Sequence, residues 1–357
     1  MMNEIKNSRT SYFDILKILA IIFVVFQHTG QNGCLYFIHA RNSFFYYPYL
    51  IIGLFSKISV PLFFMCSGAL LLGKEEDFKT LFIKRILRFL IVLCACSLIM
   101  YIYQNRSDLS EASISDFIKI LYSKNIIVPY WYLYSYIAYL FMLPFLRKIA
   151  KNFDQKSGRY LLMCFAAYQL LGMIGFLVWK EKVTRNSDFS FFISARNTFY
   201  PLAGYYIHHF IDPKKESGIK KIITVSASLL TLIFVAFVTT YRCNLFDNWS
   251  ESSAQTYFNT LAFVPSVSVF YLAKCREPKQ AISDKVRIIL AELSSLTFGI
   301  YLFESLLKKV TNPFFKVLKT MIHPYIACWI WVLATVVLGG IIFFLLKKLI
   351  KPLNKYI

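Results

Sequence analysis

YFDILKILAIIFVVFQHT, residues 12–29, decides how the rest of the chain is read. It is unbroken apolar from Ile18 to Phe26, yet Asp14, Lys17 and His28 stand in the same run. A helix needs about 20 largely apolar residues to cross the hydrocarbon of a bilayer. Nine further stretches of that kind follow, at 50–73, 86–104, 127–146, 160–179, 190–211, 222–241, 255–273, 286–307 and 325–346. The pattern predicts an all-α, polytopic integral membrane protein of about ten transmembrane helices. No long polar stretch interrupts it, so residues 1–357 read as one transmembrane domain. The first stretch lacks an A-x-A-like cleavage site and reads as a retained helix. Pro61 and Pro201 make the second and sixth stretches the least regular, which a membrane helix tolerates where neighbours satisfy the freed carbonyl.

Composition agrees with that class. The chain is 57% hydrophobic and only 17% charged, with mean hydropathy +0.53. A soluble domain carries roughly 25% charged residues. The 40 Lys+Arg against 19 Asp+Glu would point to nucleic acid in a polar chain. With this hydropathy they read as basic loops facing anionic lipid and cytoplasm, so no nucleic-acid partner is expected. The eight cysteines show no C-x-x-C or zinc-like spacing, and no metal is expected. Cys34 and Cys243 are the two expected to face outside. Counting Lys and Arg by loop gives roughly a two-to-one excess on the side of the N-terminal Lys6 and Arg9 and of the C-terminal tail. Both termini are therefore expected in the cytoplasm, which requires an even number of spans.

Ionisable groups inside the membrane cost at least about 2.5 kcal/mol each on insertion scales, so each demands a reason. Lys17 and His28, eleven residues apart, fall about 20° past three full turns and share one helix face, separated by about 16 Å. Asp14, three residues before Lys17, can pair with it. Toward the same outer depth as His28 fall Glu304 in FGIYLFES, Arg196 in SARNTFYPLAGYY, and Trp131 and Tyr132 in PYWYLYSYIAYL. A histidine, a carboxylate and an arginine at one level suit acid–base work, while the aromatic pair equally suits an interfacial belt. At the opposite level stand Lys84, Arg85 and Arg88. Forked guanidinium donors suit phosphate; ordinary positive-inside flanking explains the same residues.

Taken together, these stretches resemble acyltransferase family 3, polytopic bacterial enzymes that O-acylate extracytoplasmic glycans. YFDILKILAIIFVVFQH resembles the family's opening helix, with Lys17 where arginine is usual and His28 as the histidine. SVPLFFMCSGALLL, Ser59 to Leu72, is similar to the second helix with its F-F-x-x-S-G core, which contains Ser67. RILR, Arg85 to Arg88, corresponds to the R-x-x-R. WYLYSYIAYLFMLPFLRKI from Trp131 resembles the branch of the enterobacterial common antigen O-acetyltransferases. FYPLAGYYI and FGIYLFE resemble the sixth and penultimate helices, and Glu304 stands where many members place histidine.

The resemblance implies a protein of the bacterial inner membrane that uses acetyl-CoA or another acyl-CoA, such as succinyl-CoA, as donor. It implies a hydroxyl of a surface polysaccharide, wall polymer, lipopolysaccharide or lipid-linked sugar as acceptor. Arg85, Arg88 and Lys84 would hold the nucleotide phosphates. His28 would act as general base, with Glu304 orienting it, and Lys17 and Asp14 of the same helix count with them as catalytic candidates. Arg196, Tyr132, Trp131, Lys57 and Ser67 are candidates for the oxyanion or for substrate contact, and the sequence does not choose among them. A proton-coupled transporter or flippase is the alternative, with Asp14, Lys17 and Glu304 as a relay. No internal repeat of the kind many transporters carry is evident.

Overall fold

The computed structural model describes residues 10–107, 113–180, 195–276 and 283–350, and among these the chain is helical with no strand. Helix α1 spans Ser11–Gln27, α2 Tyr46–Phe55 and α3 Ser59–Leu71. The 3-10 turn Ser56–Ile58 joins α2 and α3 into one stretch, Tyr46–Leu71. A helical turn at Phe78–Leu81 and a π-turn at Phe82–Ile86 run into α4, Leu87–Gln104. Then follow α5 (Ile114–Ser123), α6 (Trp131–Lys151), α7 (Gln155–Trp179), α8 (Arg196–Phe210), α9 (Gly218–Leu245), α10 (Phe263–Arg276), α11 (Asp284–Met321) and α12 (Pro324–Leu349).

A helix lies at each of the ten expected places, but length and composition support a smaller count of spans. Among the described residues six helical stretches are long and apolar enough to cross a membrane. The bent pair Ile114–Ser123 and Val128–Lys151 would make a seventh. The reason is length: α1, α8 and α10 have only 17, 15 and 14 residues. Residues 190–194 of the expected sixth stretch, and the termini with Lys6 and Arg9, lie outside the described residues. The eighth stretch, expected from 255, becomes helix only at Phe263. Residues 255–262 fold into turns, with Leu261 at φ 58° in the left-handed region, a conformation that costs a non-glycine residue about 1–2 kcal/mol.

The long helices show which face the lipid takes. On α12, Ile326, Ile330, Leu333, Val337, Ile341 and Leu345 are all exposed. They recur at three- and four-residue intervals, so they form one apolar stripe along the helix. A stripe of that length is costly in water and at home in hydrocarbon. The cysteines are free thiols, and Cys34 and Cys243 are both buried. Cys34 donates from Sγ to the Gln27 carbonyl at 3.1 Å, which fixes the turn after α1.

Short helix α1 is central, packed between α3, α11 and α12. Two pairs of contacts set its surroundings. In the first, α3 and α8 approach with their backbones touching: Gly68 faces the Pro201 backbone, and Gly204 faces the Met65 backbone. Small residues allow such crossings in membranes, where close van der Waals packing replaces the hydrophobic drive. Pro61 falls in the first turn of α3, where a missing N–H costs nothing. In the second, Tyr130 donates to the Leu302 carbonyl at 2.9 Å and Tyr301 to the Pro129 carbonyl at 2.6 Å. This reciprocal clasp fixes the start of α6 against the middle of α11, two residues from Glu304.

Candidate active site

His28 ends α1 as its C-cap, and Glu304 lies on α11 with its side chain fully buried. The two meet: His28 Nδ1 is 2.8 Å from Glu304 Oε1. Ser305 Oγ donates to the same oxygen at 3.2 Å. One turn along α11, Lys308 places Nζ 3.4 Å from Glu304 Oε2 and donates to the His28 carbonyl at 2.7 Å. A carboxylate in a low-dielectric setting needs such partners, because an unpaired buried charge is far costlier than a paired one. Lys308 thus compensates Glu304 and holds the end of α1 at once. With Nδ1 turned to the carboxylate, Nε2 is the ring nitrogen left for chemistry.

Two cavities meet at this histidine. The first, of about 330 Å³, is bordered by His28, Lys17, Ser67, Arg85, Arg88 and Tyr132, with further aromatic walls from Phe89, Trp131, Tyr136 and Tyr301. Lys17 and His28 both border it, so it follows one face of α1. Ser67 Oγ and Tyr136 OH are 3.1 Å apart within it. The second cavity, of about 570 Å³, is bordered by His28, Lys57, Trp131, Arg196 and Tyr200, and by Gln255 and Asn259 from the turns before α10. Gln27, His28, Val60 and Trp131 border both. Gln27 is held there by donating from Nε2 to the Ser56 carbonyl and to Ser59 Oγ, each at 2.6 Å.

At the far end of the first cavity Arg85 grips Glu76 in a fork, with Nε donating to Oε2 at 2.9 Å and Nη2 to Oε1. Arg147 adds a bond from Nη2 to Glu76 Oε2 at 2.8 Å and caps α3 through the Leu71 carbonyl at 3.1 Å. Hydrogen bonds from Arg85 and then from Arg147 hold the Glu76 carboxyl at about 2, well below the usual carboxylate range. The π-turn places Arg85 here, and such turns recur at functional sites.

The structure therefore brings together most of the residues singled out in the sequence and separates a few. Lys17, His28, Ser67, Arg85, Arg88, Trp131 and Tyr132 border the first cavity, with Glu304 behind His28. Lys57 and Arg196 border only the second. Lys84 is exposed and borders neither cavity, since adjacent helical residues point about 100° apart. Asp14 is buried and borders neither cavity. Sequence reasoning missed Lys308, Gln27, Glu76 and Arg147. Only Lys308 carried a signal, standing four residues after a buried acid on the same helix.

A paired histidine and carboxylate thus stand at the junction of two cavities in a bundle of apolar helices. The chain belongs to acyltransferase family 3: the family's profile, described as an acyltransferase domain, matches residues 10–346. No curated protein and no solved structure matches the chain.

Proposed function

We propose that the protein is a ten-span O-acyltransferase of the bacterial inner membrane, with both termini cytoplasmic. It moves an acyl group, acetyl by default, from cytoplasmic acyl-CoA to a hydroxyl of an extracytoplasmic glycan or lipid-linked sugar. The observation that carries this reading is His28 bordering both cavities with Nδ1 against Glu304. Donor enters from the Arg85 and Arg88 end, where Arg88 and Lys17 meet its phosphates. Arg85 is already engaged by Glu76, so it shapes that end and adds charge. The pantetheine arm follows α1 toward His28. Acceptor enters through the second cavity.

His28 Nε2 takes the proton from the acceptor hydroxyl as its oxygen bonds to the thioester carbonyl carbon. The imidazolium so formed is stabilised by Glu304 at Nδ1. Collapse of the tetrahedral intermediate breaks the C–S bond, and the leaving thiolate takes the proton back from Nε2. Atoms and charge balance: thioester and alcohol become ester and thiol. Tyr132, Trp131 and Ser67 border the first cavity, and the Tyr132 and Ser67 hydroxyls are the candidate oxyanion donors.

Acetyl-CoA tests this directly. It should raise the melting temperature of the purified protein, as any ligand of the folded state does. His28→Ala should keep that shift and lose transfer of labelled acetyl groups to envelope glycans. Absence of a shift with acetyl-CoA and with longer acyl-CoAs would overturn the reading.

A further inference from the structure

The second cavity carries a charge that the transfer chemistry does not use. Half-buried Lys57 and exposed Arg196 both border it, and Arg196 is close enough to Lys57 to repel its charge. Among the described residues, neither is within ion-pair distance of a carboxylate. Their partners are aromatic faces instead. Lys57 Nζ lies 5.8 Å from the centre of the Phe258 ring, and the Arg196 guanidinium 5.9 Å from that of Trp131. The other end of the molecule contrasts with this, since there Glu76 answers Arg85 and Arg147. Two cations drawn together in a partly desolvated cavity repel one another, which a bound anion relieves.

The rest of the lining suits a sugar. Trp131 and Tyr200 offer aromatic faces beside the cations. The side-chain amides of Gln255 and Asn259 make no hydrogen bond with the described residues and border the same space. Amides of this kind provide both donors and acceptors for hydroxyls. At about 570 Å³ the cavity is large enough for more than one sugar ring.

Resting on the acyltransferase reading, we infer that the acceptor is an anionic glycan, its carboxylate or phosphate held by Lys57 and Arg196 while a neighbouring hydroxyl faces His28. The two cations therefore select the acceptor and leave the donor alone.

The test uses the full chain, purified and saturated with acetyl-CoA. Melting temperature is followed against glucose and galactose, the matching hexuronates, the matching hexose 1-phosphates, and glycerol phosphate. Hexuronate or hexose 1-phosphate should bind at least about tenfold more tightly than the matched neutral sugar, the scale of charge-assisted hydrogen bonds. Which of the two wins identifies the anion. Lys57→Gln and Arg196→Gln should each erase that preference while the shift caused by acetyl-CoA itself remains. Equal binding of charged and neutral sugars by the unaltered protein would overturn the inference, and so would a preference that survives both substitutions. If glycerol phosphate matches hexose 1-phosphate and hexuronate does not bind, the cavity takes a lipid headgroup and the inference also fails. Failure of acetyl-CoA and of longer acyl-CoAs to shift the melt is a separate result that removes the acyltransferase reading instead.

Discussion

Replacing Glu304 by Gln removes one negative charge at the back of His28 and almost nothing else in volume. Glu304 Oε1 is 2.8 Å from Nδ1, and the carboxylate is fully buried. Taking a separation of about 4 Å between the charge centres and an effective dielectric near 20, the carboxylate stabilises an imidazolium by about 4 kcal/mol. That is roughly a thousandfold in rate if His28 is protonated in the transition state. The Lys308 ammonium, 3.4 Å from the other carboxylate oxygen, would then stand unopposed near the ring and act in the same direction. The assay is acetyl transfer at saturating donor, with the acetyl-CoA thermal shift as the control for folding and donor binding. We expect kcat to fall roughly a thousandfold while donor KM changes little, because the charge that Glu304 stabilises forms on His28 as it takes the proton, and Glu304 borders neither cavity. Glu304→Asp, which keeps the charge at shorter reach, should recover part of the loss. A folded Glu304→Gln enzyme with kcat within about tenfold of the unaltered protein would refute the reasoning.

Arg88→Ala should raise donor KM more than it lowers kcat, since a phosphate anchor far from the reacting carbonyl supplies mostly uniform binding; steady-state kinetics read this directly. Glu76 stabilises the fold above the ordinary carboxylate value of 4.5, and that stabilisation should disappear as pH falls toward about 2. At about 1.4 kcal/mol per factor of ten in proton affinity, it is on the order of 3 kcal/mol. Melting curves of the unaltered protein and of Glu76→Gln should therefore converge across that window. Gly68→Ala and Gly204→Ala each place a methyl group against facing backbone, so each should cost more than about 1 kcal/mol by melting, where Gly340→Ala, in open space, should not. In oriented vesicles, donor at the cytoplasmic face should acylate an impermeant acceptor on the opposite face, and donor at that opposite face should be inert.

What the sequence determined by itself is what short-range chemistry encodes. Ten apolar runs place ten helices, because in hydrocarbon a backbone must satisfy its own hydrogen bonds and a helix does so locally. The eleven-residue spacing of Lys17 and His28 puts both on one face of α1, and both border one cavity. Length was less legible than position: α8 and α10 begin late, α8 at Arg196 and α10 after the turns at 255–262. Only the tertiary structure decided the partnerships. Glu304 meets His28 across 276 residues of chain, and Lys308 joins them because α11 brings it to the end of α1. Glu76 and Arg147 looked like ordinary loop charges, since nothing local marks a carboxylate that will be gripped by two arginines. The π-turn that contains Arg85 shifts the helix phase that a regular periodicity assumes. Lys57 and Arg196 are separated from one another in sequence by the five helices α3 to α7, and they share a cavity because α3 and α8 cross at glycines small enough to let their backbones touch.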